Sequence, residues 1–291
     1  MGKERDRERQ MSKKTAWILS GLAVLLLLLL TGITLVQIRG GRKEAYPVVC
    51  LGDSIIGNVR DDTSVTAVME SLLDVPVANA AFGGTCMSLG NHEYHPNYAE
   101  DSLNLASLAD SIAAGDFDVQ KYDIAENKFG LPYFKDALWE MTRIDFSKAK
   151  IIFIEHGIND YSAGRPLEDP EDPKNVYTYG GALRYSIETI KKAYPDVKLV
   201  LVTPLYCYFQ ENGQRAADSE NADFGYGTLE AYAKLELQIA QEYGLDCIDN
   251  FHEFGLNSEN VDEYTEDGLH LNEKGRHILA EILAEYVKTN L

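Results

Sequence analysis

The chain has 291 residues, 45% hydrophobic and 25% charged, which is too much apolar surface for a disordered chain and enough for one large or two small domains. The formal charge of -19 is unevenly spread: residues 1–43 hold nine Lys or Arg against three Asp or Glu, and the remainder holds 18 basic against 43 acidic side chains. A body that acidic repels phosphate backbones, which argues against nucleic acid as a partner and leaves solubility as the reason for the charge.

Residues 1–14 are polar and basic, with Lys3, Arg5, Arg7, Arg9, Lys13 and Lys14. Residues 15–38 contain no charged side chain and include the run Leu25–Leu30. As a helix this stretch measures about 36 Å, enough to cross a hydrocarbon core of about 30 Å. It exceeds the apolar core of a signal peptide, and its exit lacks an Ala-x-Ala cleavage pattern. We therefore expect an uncleaved transmembrane signal-anchor. Six basic residues precede it and three (Arg39, Arg42, Lys43) follow, so the N-terminus is expected in the cytoplasm and the large domain outside, at the cell surface. Residues 39–45 read as a short linker.

From residue 46 onward strand and helix patterns alternate. Tyr46–Leu51 reads as a strand that stops at Gly52-Asp53-Ser54, and Val65, Val68, Met69, Leu72 and Leu73 follow helical spacing. Val75–Ala78 is a second short strand. A long connection, 85–148, holds a helix near Leu103–Ala113 and the aromatics Tyr122, Phe129, Tyr133, Phe134 and Trp139, for which core packing is expected over a substrate-lining role. Ile151–Ile154 is a continuous apolar run, as in a strand covered on both faces. A Pro-rich acidic loop occupies 161–176. Helix Tyr185–Ala193, strand Val197–Val202, helix Leu229–Tyr243, strand Leu245–Ile248 and a last amphipathic helix over Ile278–Val287 follow. This order implies a doubly wound, flavodoxin-like α/β fold with a central five-stranded parallel sheet.

The four cysteines, Cys50, Cys86, Cys207 and Cys247, form no Cys-x-x-Cys pair. Three pairings are open to them, and buried free thiols are expected. His92 and His95 lie three apart without an obvious third ligand, so no metal site is expected there. His156 is expected to be a satisfied histidine at a strand end.

In an open parallel sheet, ligands bind beyond the carboxyl ends of the strands. Ser54 follows the first strand, Asn79 to Thr85 the second, Gly157-Ile158-Asn159-Asp160 the third, and Asp267-Gly268-Leu269-His270 the fifth. All four stretches should meet along one rim. A serine hydroxyl needs a base, for which His270 is the candidate, and Asp267 can orient the imidazole from three residues away. The N–H groups of Ser54 and Gly84 and the Asn159 amide can serve a developing oxyanion.

These stretches resemble the four blocks of the SGNH, or GDSL-type, hydrolase family. Gly52-Asp53-Ser54 resembles the first, with Ile55 in place of the usual leucine, and Asn79 with Gly84 five positions later the second. Gly157-x-Asn159-Asp160 resembles the third and Asp267-x-x-His270 the last. Gly83 adjoins Gly84, so either glycine fits the second block. The resemblance covers 46–291 and implies a Ser54–His270–Asp267 triad, an oxyanion hole of Ser54, Gly84 and Asn159, and no metal or organic cofactor. It implies an esterase acting through an acyl-serine. O-acetyl groups on polysaccharide or cell-envelope glycans are the first expectation, with lipid esters or transfer to an acceptor alcohol as alternatives. A non-catalytic binding module on the same fold is the alternative of another class. The Gly-x-Ser-x-Gly elbow of the α/β-hydrolases is a poorer match, because residues 52–56 read Gly-Asp-Ser-Ile-Ile.

Overall fold

Alternate residues of the central strands face opposite layers, and that alternation builds the molecule. The structure, a computed structural model, describes residues 43–90, 99–126 and 131–291. The expected tail (1–14), the expected span (15–38), most of the linker, Phe129 and the His92–His95 pair lie outside the described residues. Among the described residues no helix is long and apolar enough to cross a membrane. Residues Glu44–Leu291 form one compact unit.

Strands β1 (Val48–Gly52), β2 (Val77–Asn79), β3 (Ile151–Glu155), β4 (Lys198–Val202) and β7 (Asp246–Ile248) pair in parallel in the order β2-β1-β3-β4-β7. This is the expected five-stranded, flavodoxin-like sheet. Strands β5 (Tyr208–Glu211) and β6 (Gln214–Asp218) form a separate antiparallel hairpin that the apolar pattern did not indicate.

The helices in chain order are α1 (Ser54–Gly57), α2 (Val65–Leu73), α3 (Ala99–Leu103), α4 (Leu105–Ala114), α5 (Asp118–Glu126), α6 (Phe134–Met141), α7 (Ile158–Ser162), α8 (Tyr179–Ala193), α9 (Leu229–Tyr243), α10 (Asn250–Glu253), α11 (Val261–Tyr264) and α12 (Glu273–Asn290). Val48, Cys50, Ile151, Phe153, Val200 and Val202 face one layer, where Val65, Met69, Leu279 and Leu283 of α2 and α12 cover them. Val49, Leu51, Ile152, Ile154, Leu199 and Leu201 face the other, under α4, α8 and α9. Full burial of an aliphatic side chain contributes about 1.5–3 kcal/mol, so both faces of these strands must be apolar.

The long 85–148 connection belongs to that second layer. Leu103, Leu105, Leu108, Ile112, Phe134, Leu138 and Met141 join the core. Of its aromatics, Phe134 is buried, but Tyr122 and Trp139 are exposed, so core packing accounts for only part of the set. All four cysteines are free thiols, Cys50, Cys86 and Cys207 buried and Cys247 half-buried.

Candidate active site

The strand ends place the expected residues together. At the end of β1, Asp53 caps α1 by accepting the Ile55 N–H at 3.0 Å, which makes Ser54 the first residue of that helix. The N–H of a first helical residue has no acceptor within its helix and remains free for other work. Ser54 is 8% exposed. Its hydroxyl lies 3.1 Å from His270 Nε2, and His270 Nδ1 lies 2.7 Å from Asp267 Oδ2. Both distances are within hydrogen-bond reach.

Asp267 and His270 sit on a tight loop closed by the Glu266 N–H donating to the His270 carbonyl at 2.8 Å. The other Asp267 oxygen accepts the N–H groups of Leu269 (3.0 Å) and His270 (2.8 Å). Partial burial pushes the Asp267 carboxyl up. The bonds from the His270 ring and from these two backbone groups outweigh it, so the carboxyl lies below the usual range and stays ionised to orient the imidazole.

The second block resolves between its two glycines. The Gly83 N–H already donates to the Tyr133 hydroxyl at 2.7 Å, and that hydroxyl donates to Asn58 Oδ1 at 3.0 Å. Gly84 is exposed, with φ +77°, and a Cβ placed on it meets nothing within 4 Å. Of the two glycines, Gly84 is therefore the open one, while the Gly83 N–H is already engaged. Tyr133 lies 50 residues further on, and no local pattern marks it.

Asn159 follows β3 on α7. Its amide nitrogen donates to the Thr85 carbonyl at 2.9 Å and to Asp53 Oδ2 at 3.2 Å. Both N–H groups of the amide are thus engaged and its orientation is fixed. Burial pushes the Asp53 carboxyl up to about 7, against the lowering pull of the Ile55 N–H, the nearby His270 and the Asn159 amide. Asp160, the next residue, is fully buried and accepts the Met87 N–H (2.7 Å), the Ser88 N–H (3.0 Å) and the Ser88 hydroxyl (2.6 Å). It anchors the segment that follows Gly84 and Thr85, a structural task the motif alone does not disclose.

His156 is fully buried and does not serve the triad. Its Nε2 lies 3.4 Å from the Thr85 hydroxyl, its Nδ1 has no protein partner, and burial pushes its pKa down to about 3. It is a neutral core residue, only half satisfied, where full satisfaction was expected. Chemically, the arrangement joins a hydroxyl, a base, an orienting carboxylate and three N–H donors on one rim, which is the equipment of acyl transfer.

The family model described as GDSL-like Lipase/Acylhydrolase matches residues 50–278. An acetylxylan esterase from Xylanibacter ruminicola is 28% identical over 183 residues, covering 56% of this chain and 33% of that protein. The chain thus spans about a third of this curated relative's length. Among solved structures, a Lactobacillus plantarum protein superposes with a TM-score of 0.58 at 16% identity, covering 85% of this chain and 99% of the other. A carbohydrate acetylesterase from Sinorhizobium meliloti gives 0.52 at 16% identity, covering 84% and 100%. At such identities the two structures speak for the fold alone.

Proposed function

We propose, from the premise that this chain belongs to the GDSL-like lipase/acylhydrolase family and is a serine ester hydrolase, that Ser54, His270 and Asp267 are its catalytic triad and that it removes O-acetyl groups from glycans. The observation that carries the triad is the continuous chain from Asp267 Oδ2 through the His270 ring to Ser54 Oγ, at 2.7 and 3.1 Å. His270 takes the Ser54 proton as Oγ attacks the ester carbonyl. The oxyanion is received by the N–H groups of Ser54 and Gly84 and by Asn159 Nδ2. His270 then protonates the leaving alcohol, which departs and leaves an acyl-serine. Water, activated by the same imidazole, releases the acid and restores Ser54.

The acetylxylan esterase relative supports an acetylated polysaccharide as the substrate class. The test is acetate release from acetylated xylan by the full chain, alongside p-nitrophenyl esters of increasing acyl length. Acetate release that is absent from Ser54→Ala, with rates falling beyond short acyl chains, is expected. Faster hydrolysis of long-chain esters with no acetate released from the glycan would refute the glycan reading.

Residues 15–38 are proposed as an uncleaved anchor, N-terminus in the cytoplasm, that holds this domain at the extracytoplasmic cell surface, on the strength of an uncharged length matched to a hydrocarbon core. Retention of the full chain in membranes after an alkaline carbonate wash is expected. Release into the supernatant would refute anchoring.

A further inference from the structure

The hairpin that the apolar pattern did not indicate leaves the carboxyl end of β4 and runs against the loop bearing Asp267 and His270. The Tyr208 N–H donates to the Gly268 carbonyl at 2.9 Å. The Gln210 side-chain amide donates to the Asp267 carbonyl at 3.0 Å. Two consecutive carbonyls of the loop, those of Asp267 and Gly268, are therefore both held by hairpin donors. The hairpin register shifts between Phe209 and Gln210, and a bulge of this kind re-aims the side chain that follows it.

Side-chain packing points the same way. Gly268 has φ +90°, and a Cβ on it would lie 2.4–2.6 Å from three atoms of the Tyr208 ring, so that ring rests directly on the glycine backbone. The ring cannot swing aside freely. Its hydroxyl donates to Asp262 Oδ1 at 2.8 Å, and the Arg215 guanidinium lies over it at 4.6 Å. Arg215 is itself tied to the Ser258 carbonyl at 3.1 Å and paired with Asp218. One flank of the Asp267–His270 loop is thus clamped by a chain of contacts: Gly268 on Tyr208, Tyr208 under Arg215, and Arg215 on the 258 segment.

We propose that the 208–218 hairpin sets the working geometry of the triad loop, with Tyr208 as a positioning residue that acts through Gly268 and Gln210 as a second that acts through the Asp267 carbonyl. Neither residue touches the reacting atoms. The inference rests on the triad reading above. It differs from that reading in assigning the alignment of His270 on Ser54 to an element outside the four blocks. Because the hairpin acts on alignment and not on substrate contact, its loss lowers kcat and leaves KM in place.

The test uses the full chain with p-nitrophenyl acetate. Displacements of about 1 Å at a reacting centre cost up to about 100-fold, so Tyr208→Ala is expected to lower kcat about 10- to 100-fold with KM within about twofold. Tyr208→Phe keeps the ring on Gly268 and is expected to retain most of the rate. Gln210 is exposed, so Gln210→Ala folds normally and reports on alignment alone, with a loss of about three- to tenfold in kcat expected for one hydrogen bond. Labelling of Ser54 by a fluorophosphonate is expected to slow in step with kcat in each variant. Wild-type kcat in folded Tyr208→Ala and Gln210→Ala would overturn the proposal. So would losses that track only the unfolded fraction, or a Tyr208→Phe loss equal to that of Tyr208→Ala. Undiminished hydrolysis by Ser54→Ala would instead overturn the triad reading beneath it.

Discussion

Glu236 on α9 offers a sharp test of how burial governs this protein. It is fully buried, its Oε2 accepts the Tyr179 hydroxyl at 2.8 Å, and its Oε1 has no protein partner. Burial raises its pKa from 4.5 to about 8, against the lowering pull of the Tyr179 hydroxyl and the Val202 N–H and with a smaller upward push from the Asp249 and Asp160 charges. In the unfolded chain the same group releases its proton near 4.5. Between those values the folded state binds more protons, so raising the pH draws the equilibrium toward the unfolded chain. The stability linked to this proton is fully present below about pH 4.5 and is lost as the pH rises through about 8. A shift of that size corresponds to an upper bound of order 5 kcal/mol, or roughly 10–20 °C in Tm for a chain of this length. Glu236→Gln keeps an acceptor for Tyr179 and never ionises. Thermal unfolding of both proteins at pH 5 and pH 8.5 should therefore show similar Tm values in acid and a clearly higher Tm for the variant in base. Equal pH slopes, or a variant less stable than the parent at pH 8.5, would show that Glu236 is ionised and matched in the fold, and would refute the reasoning.

Further expectations concern the site. Asp267→Asn removes the charge that orients the imidazole, and kcat on p-nitrophenyl acetate should fall about 10²- to 10⁴-fold with little change in Tm, since Asp267 is half exposed. Asn159→Ala removes the proposed third oxyanion donor, for which a kcat loss of about 10²- to 10³-fold is expected, and steady-state kinetics should place it in kcat more than in KM. In Gly83→Ala the new Cβ would fall 2.3 Å from Asn58 Oδ1 and 2.9 Å from the Tyr133 hydroxyl, so the loop must move and take the Gly84 amide with it. Activity should drop at least about tenfold, as for other small displacements of catalytic donors, while Tyr133→Phe, which removes only the hydroxyl, should reproduce part of that loss.

Much of the fold was legible because burial on both faces writes itself into the strands. Ile151–Ile154 and Leu199–Val202 carry no polar side chain to disguise them, and the expected bounds of helix Leu229–Tyr243 match the observed ones. Element starts were less legible. Helix α8 begins at Tyr179, six residues before the expected Tyr185, because the Thr178 hydroxyl accepts the Gly181 N–H while Gly180-Gly181 hides the helical pattern. The hairpin is not legible because Gln210, Glu211, Gln214 and Arg215 are exposed, leaving no apolar alternation along the strands. Its one signal is Asn212-Gly213, both with positive φ, the usual two-residue turn of a hairpin.

The site divides in the same way. The grouping of Ser54, Asn159, Asp267 and His270 on one rim is legible because each follows a strand of the parallel sheet. The supports are not, because Tyr133 on the Gly83 N–H, Asp160 on the 87–88 backbone and Tyr208 on Gly268 act across 50 or more residues. Their roles follow only from three-dimensional contact. Asp53 and Glu155 add a layer that spacing cannot reveal. Both are buried carboxyls pushed upward, chiefly by desolvation, and both oxygens of Glu155 lack a protein partner.

The central claim is that Ser54 is the nucleophile activated by His270. The most direct measurement is labelling of the full chain with a fluorophosphonate, followed by peptide mapping of the adduct. One adduct is expected, on Ser54, absent from Ser54→Ala and formed far more slowly in His270→Ala. Equal labelling of Ser54→Ala, or an adduct mapped to another residue, would contradict it.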